Sequence, residues 1–134
     1  MQQTARGAFE VSLKPQDAAN ASDGTTLGRM SIDKVISGDL QATSQGQMLS
    51  AVTATQGSAG YVAIERVSGT LNGRQGTFVL QHSGSMTRGV QQLLISVVPD
   101  SGTGELLGLE GVLKLNIEGG IHHYQFDYSL PTAP

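Results

Sequence analysis

The dipeptide Asn72-Gly73 sits between two β-patterned runs in GYVAIERVSGTLNGRQGTFVLQHSGSM, Gly60 to Met86, and it constrains the fold more than any other feature of the chain. Asn-Gly between such runs favours a two-residue type I′ turn, because both central residues of that turn need φ > 0. With the turn placed there, Leu71 faces Arg74, and counting back pairs Val67 with Phe78, Glu65 with Leu80, Ala63 with His82 and Tyr61 with Gly84. Strand side chains alternate between faces, so one face carries Tyr61, Ala63, Glu65, Val67, Phe78, Leu80, His82 and Met86. This face is apolar apart from one acid, one imidazole and one phenol, and it makes Glu65 and His82 diagonal neighbours. The opposite face holds Val62, Ile64, Arg66, Ser68, Thr77, Val79, Gln81, Ser83 and Ser85. It has no aromatic and a permanent charge, as suits a barrel exterior or a contact between subunits.

The rest of the chain continues the same β pattern. Ala5 to Leu13 alternates, with Phe9, Val11 and Leu13 on one side, and Lys14 to Thr25 is dense in turn formers and reads as an exposed loop. Leu27 to Ile36 is a second strand, with Met30 and Ile32 sharing a face. Asp39 to Ser44 and Met48 to Thr55 flank Gln45-Gly46-Gln47 and are expected to form a hairpin. Arg88-Gly89 turns the chain into Gln91 to Val98, which stops at Pro99 and DSGTG. Gly119-Gly120 joins Val112–Glu118 to Ile121–Leu130, and one face of that last run is His122, Tyr124, Phe126 and Tyr128. These are eight or nine strands without a helical period, and short connections favour an antiparallel meander closed into a barrel, since closure removes exposed edges. The fold class is therefore all-β, a small antiparallel β-barrel of about eight strands formed by residues 1–134 as one domain. At that size the lumen holds either packed side chains or one small ligand.

Composition excludes several function classes. With no Cys in 134 residues there is no disulfide, thiolate or zinc-thiolate chemistry. Eight Lys and Arg against eleven Asp and Glu give a formal charge of −3, the wrong sign for a nucleic-acid surface. No run approaches the roughly 20 apolar residues of a spanning helix, and the first residues, MQQTARGAFEV, lack a basic and an apolar leader region, so a cytoplasmic protein without a membrane partner is expected.

GDLQATSQGQML (Gly38 to Leu49), the segment Gly57 to Met86, VVPDSGTGELLGLEG (Val97 to Gly111) and HYQFDYSLP (His123 to Pro131) together resemble a bacterial domain-of-unknown-function family with the allene-oxide-cyclase-like barrel fold. TGELLGLEG is also similar to the glycine-rich segment before a barrel strand in plant allene oxide cyclases and dirigent proteins. The resemblance implies a small antiparallel barrel able to form a homo-oligomer, and it implies no activity. Plant allene oxide cyclase is a cofactor-free isomerase that folds an apolar substrate inside its barrel.

Three readings of the mixed face follow. In the first, the barrel binds a small apolar or amphipathic molecule, with Tyr61, Phe78, Leu80 and Met86 as ligand-binding residues and Tyr61, Glu65 and His82 orienting it. In the second, Glu65 and His82 act as acid and base of a cofactor-independent isomerase or cyclase, a carboxyl in an apolar wall being expected to have a raised pKa. A structural or oligomerising barrel with a filled lumen is the third reading. No cofactor and no metal are expected: His122 and His123 are adjacent in a strand and point to opposite faces, so they cannot share an ion. Ser83 and Ser85 lie on the face away from His82 and have no nucleophile elbow around them. SGTGEL lacks the Lys-Ser/Thr ending of a phosphate loop.

Overall fold

Four two-residue turns punctuate the sheet, and each places its residues at the positive φ that a right-twisted hairpin requires. They are Asp23-Gly24 (φ 54° and 80°), Asn72-Gly73 (46° and 85°), Arg88-Gly89 (46° and 91°) and Gly119-Gly120 (57° and 79°). In a computed structural model that describes residues 2–17 and 20–131, these turns connect a single antiparallel sheet. Its strands are β1 (Gln2–Pro15), β2 (Asn20–Ser22), β3 (Thr25–Gly38), β4 (Leu40–Val52), β5 (Ala59–Leu71), β6 (Arg74–Thr87), β7 (Val90–Val97), β8 (Glu110–Glu118) and β9 (Ile121–Ser129).

The sheet closes on itself through β1. Its first part, Gln2 to Phe9, pairs with β9, and its second part, Gly7 to Pro15, pairs with β3. Eight strands, β1 and β3 to β9, thus form a closed meander barrel, and β2 is an added edge on β3. The weakest seam lies between β7 and β8, which share only the pairs Ile95–Leu113 and Ser96–Val112. No helix among the described residues is long and apolar enough to cross a membrane; the helical element there is one 3-10 turn, Gly104–Leu106.

The central hairpin has the register expected from the Asn-Gly turn, including Tyr61–Gly84, Ala63–His82, Glu65–Leu80 and Val67–Phe78. Its inner face is buried at Ala63, Glu65, Val67, Phe78, Leu80 and His82, while Val62 and Ile64 on the outer face are half exposed. Two expectations are corrected. Gln45-Gly46-Gln47 is no turn: β4 runs straight through it, pairing Gly46 with Ile32 and Glu65. The glycine is there for space, because a Cβ at Gly46 would strike Ile64 O and come within 2.6 Å of the Glu65 Cα. The expected loop Lys14 to Thr25 is shorter than its composition suggests, since Lys14 and Pro15 continue β1 and Asn20 to Ser22 form β2. Residues 18 and 19 of that loop lie outside the described residues.

The two ends of the barrel differ. Near the Asn72-Gly73 turn the lumen is filled by Leu40, Val67, Leu71, Phe78, Phe126 and Tyr128, with Phe78 against Phe126 at 5.7 Å and Phe126 against Tyr128 at 5.3 Å between ring centroids. The segment after β7 folds under this end, where Leu106 and Leu109 are fully buried and Glu105 Oε1 accepts a hydrogen bond from the Gln75 backbone N–H at 3.1 Å. Tyr124 and Tyr128 are buried core residues, as their strand pattern suggests. All three tyrosines face a glycine across the ladder: Tyr61 opposite Gly84, Tyr124 opposite Gly7 and Tyr128 opposite Gly111. A Cβ at Gly84 would lie 2.9 Å from Tyr61 Cδ1, one at Gly7 2.6 Å from the Tyr124 hydroxyl, and one at Gly111 3.0 Å from Tyr128 Cβ.

Because the obstacle at Gly46 is the backbone of a neighbouring strand, Gly46→Ala is expected to destabilise the fold by about 1–3 kcal/mol. Gly60→Ala, whose Cβ would find its nearest neighbour at 3.8 Å, is expected to stay within about 0.5 kcal/mol of the parent. Urea denaturation midpoints of the two variants check this; equal midpoints would mean that Gly46 is not a packing glycine.

Candidate functional site

Period-two alternation brings four polar side chains from four consecutive strands into the middle of the lumen. Lys34 follows Ile32 and precedes Ile36 on the inner face of β3, and both of those are buried. Ser44 pairs with Lys34 across β3–β4, Glu65 extends from β5, and His82 stands one pair along on β6. Lys34 Nζ donates to Glu65 Oε1 at 2.9 Å, His82 Nε2 lies 2.7 Å from the same oxygen, and Ser44 Oγ donates to Glu65 Oε2 at 2.7 Å. The side chains of Lys34, Glu65 and His82 are 9%, 0% and 5% exposed. The Lys34 ammonium also lies 4.7 Å from the centre of the Phe9 ring, a cation–π contact on its apolar side.

These contacts reverse the expectation for Glu65. Burial alone would raise its pKa, but the His82 hydrogen bond, the Lys34 charge and hydrogen bond, and the Ser44 hydroxyl together outweigh burial and bring it down to about 2. The group is a permanent carboxylate at neutral pH. Breaking such a pair by removing one member leaves an uncompensated buried charge, which makes the cluster a structural as well as an electrostatic centre.

Above the cluster, away from the packed end, Tyr61 continues the chain of contacts. Its hydroxyl is 3.3 Å from His82 Nδ1, and its ring lies over Gly84. Burial and the Glu65 charge both raise the Tyr61 pKa, so the phenol keeps its proton. Tyr61 also borders a cavity of about 300 Å³ formed by the ends of β4 to β7, where Met48, Ser50, Ala59, Met86 and Leu93 are its main neighbours. The first five residues of β7 extend past the short β7–β8 seam and have no ladder partner in β8.

Of the residues singled out from the sequence, Tyr61, Glu65 and His82 are brought together, and Tyr61 and Met86 line the cavity. Phe78 and Leu80 do not line it: they are 1% and 2% exposed within the packed core. His122 stands beside Phe9 at 5.2 Å between ring centroids. Among the described residues, no three His, Asp or Glu side chains are grouped to hold a metal ion. Sequence reasoning missed Lys34 and Ser44. The alternation Ile32-Lys34-Ile36 was the available signal for the first, since a lysine on a buried face demands a counterion. Ser44 was hidden by the false turn at Gly46.

The folded protein holds a proton on Glu65 more weakly than the unfolded chain does, so between the ordinary carboxyl value of 4.5 and about 2 the unfolded state binds the extra proton and stability rises with pH. The contribution is complete above about 4.5 and disappears as the pH falls towards 2. Melting curves of the parent and Glu65→Gln are accordingly expected to be far apart at pH 7, by about 3 kcal/mol or more, and to converge as the pH falls from 5 to 2. A gap that stays constant with pH would contradict an ionised Glu65.

A family model described as a protein of unknown function, DUF3224, matches residues 5–128. Among solved structures, a protein with unknown function from the DUF3224 family of Shewanella oneidensis MR-1 is 52% identical, with a TM-score of 0.95 over 99% of this chain and 100% of that one. The curated proteins yield no match. With a family model spanning the barrel from β1 to β9 and a solved relative of the same architecture, the chain belongs to the DUF3224 family of proteins of unknown function.

Proposed function

We propose that the open half of the barrel binds a small apolar or amphipathic molecule, with Tyr61 as its polar contact. The observation that carries this reading is the shared position of Tyr61, which borders an apolar cavity of about 300 Å³ and is hydrogen-bonded to the buried charge cluster beneath it. Concave, mostly apolar sites with a few fixed polar groups are the usual form of a small-molecule pocket. Here Met48, Met86 and Leu93 supply adaptable apolar walls, and methionine in particular conforms to varied shapes. The cluster fixes the polar end, because a side chain tied through His82 to an ion pair loses little freedom when a ligand arrives.

The cofactor-independent isomerase or cyclase is less well supported. It rests on the allene-oxide-cyclase-like fold analogy, which carries no chemistry by itself. Glu65 with a pKa of about 2 is a poor general acid at neutral pH. The remaining candidate base is His82, which is 5% exposed and reaches the cavity through Tyr61.

A fluorescent apolar probe tests the binding reading. N-phenyl-1-naphthylamine is expected to brighten and shift to the blue on mixing with the protein, with a saturable dissociation constant. Ser50→Phe, which fills the cavity from β4 opposite Tyr61, is expected to weaken binding at least tenfold while far-ultraviolet circular dichroism still shows the β fold. A probe signal that is absent, or unchanged by Ser50→Phe, would overturn the pocket.

A further inference from the structure

The buried cluster also fixes the direction of the hydrogen bonds that lead to the cavity. Glu65 is an ionised acceptor: Oε1 accepts a hydrogen bond from Lys34 Nζ and Oε2 accepts one from Ser44 Oγ. His82 Nε2, 2.7 Å from Oε1, must therefore carry hydrogen and donate. The charge balance then decides the other ring nitrogen. Lys34 already neutralises Glu65, and a second full charge on His82 would leave the cluster with an uncompensated positive charge among side chains that are at most 9% exposed. A neutral imidazole with hydrogen on Nε2 keeps the cluster at zero and leaves Nδ1 as an acceptor. Its neighbour at 3.3 Å, the Tyr61 hydroxyl, is thus the donor, and its own oxygen is left with unused acceptor capacity. His82 is the hydrogen-bond partner of this hydroxyl among the described residues.

We propose that the cavity presents Tyr61 Oη as a hydrogen-bond acceptor, so the barrel selects an apolar molecule that carries an O–H or N–H donor over one that carries only a carbonyl or ether oxygen. This rests on the binding reading above and gives it a ligand class: alcohols, phenols or amines with a compact hydrocarbon body. A site built to satisfy one polarity rejects the mismatched analogue more strongly than it distinguishes one hydrocarbon from another, because the mismatched pair leaves two acceptors facing each other. The reverse arrangement is structurally distinct. An imidazolium at His82 would donate from Nδ1 to Tyr61 Oη and turn the phenol hydrogen towards the cavity, which would then favour carbonyl compounds.

Isothermal titration at neutral pH with three ligands of one ring size separates these cases: naphthalene as the apolar reference, 2-naphthol as a donor, and 2-acetylnaphthalene as an acceptor without a donor. The expected result is 2-naphthol binding about tenfold more tightly than naphthalene, a difference of about 1.4 kcal/mol, with 2-acetylnaphthalene no tighter than naphthalene. In Tyr61→Phe the affinities of the three are expected to converge. Tightest binding by 2-acetylnaphthalene would overturn the assigned direction, as would equal affinities in the parent protein, while leaving the cavity as a binding site. No binding of any of the three would overturn the pocket itself and this inference with it.

Discussion

The Glu65 carboxylate is the centre on which this barrel depends. It sits in the lumen with no exposed surface of its own and takes hydrogen bonds from β3, β4 and β6 while rooted in β5. Four consecutive strands are therefore tied to one charge. A register slip of one residue in any of them would turn its contributing side chain outwards and leave the carboxylate unpaired, so the cluster specifies strand alignment as strongly as the apolar face does. Gly46, paired with Glu65 across β4–β5, completes the arrangement: its missing side chain lets β4 lie close against Glu65.

The same cluster divides the lumen. Beneath it, rings and branched side chains fill the space as far as the plug of Leu106 and Leu109, and this half supplies stability. Above it, the side chains become smaller or more flexible, the β7–β8 seam ends, and a cavity remains. Tyr61 joins the two halves. Its ring rests on Gly84 as that of Tyr124 rests on Gly7, and Gly111 leaves room for the Phe126 ring, which accounts for part of the unusual glycine content of a strand-rich chain. The other two tyrosines spend their hydroxyls on structure: Tyr124 accepts from the Leu40 N–H and donates to Ser37 O, and Tyr128 accepts from Asn72 and donates to Gln3. The Tyr61 hydroxyl has His82 as its partner among the described residues, and Tyr61 lines the cavity, whereas the hydroxyls of the other two tyrosines are tied to structural partners.

Much of this was legible in the chain. Asn-Gly sets a turn length, turn length sets register, and period two then sets which side chains share a face, so the Tyr61, Glu65 and His82 grouping followed from counting. Lys34 was legible in principle by the same alternation, but a strand read only from its apolar members does not reveal a lysine among them. Gly46 misled because glycine between polar residues signals a turn equally whether it supplies positive φ or room for a neighbour, and the difference lies in a side chain on another strand. The Glu65 pKa was misjudged for the same reason: burial is visible in the sequence of β5, whereas its three donors come from β3, β4 and β6. Nor could the sequence divide core from cavity, since Phe78, Leu80 and Met86 alternate along one face of one strand and only the closed barrel puts the first two in the packed half.

The most direct test of this account is a carbon-detected NMR titration of the Glu65 side-chain carboxyl in the folded protein. The account predicts a midpoint near 2, set by Lys34, His82 and Ser44 against burial. A midpoint at or above the ordinary 4.5 would mean that Lys34, His82 and Ser44 do not outweigh burial, and the ion-paired floor beneath Tyr61 would be contradicted.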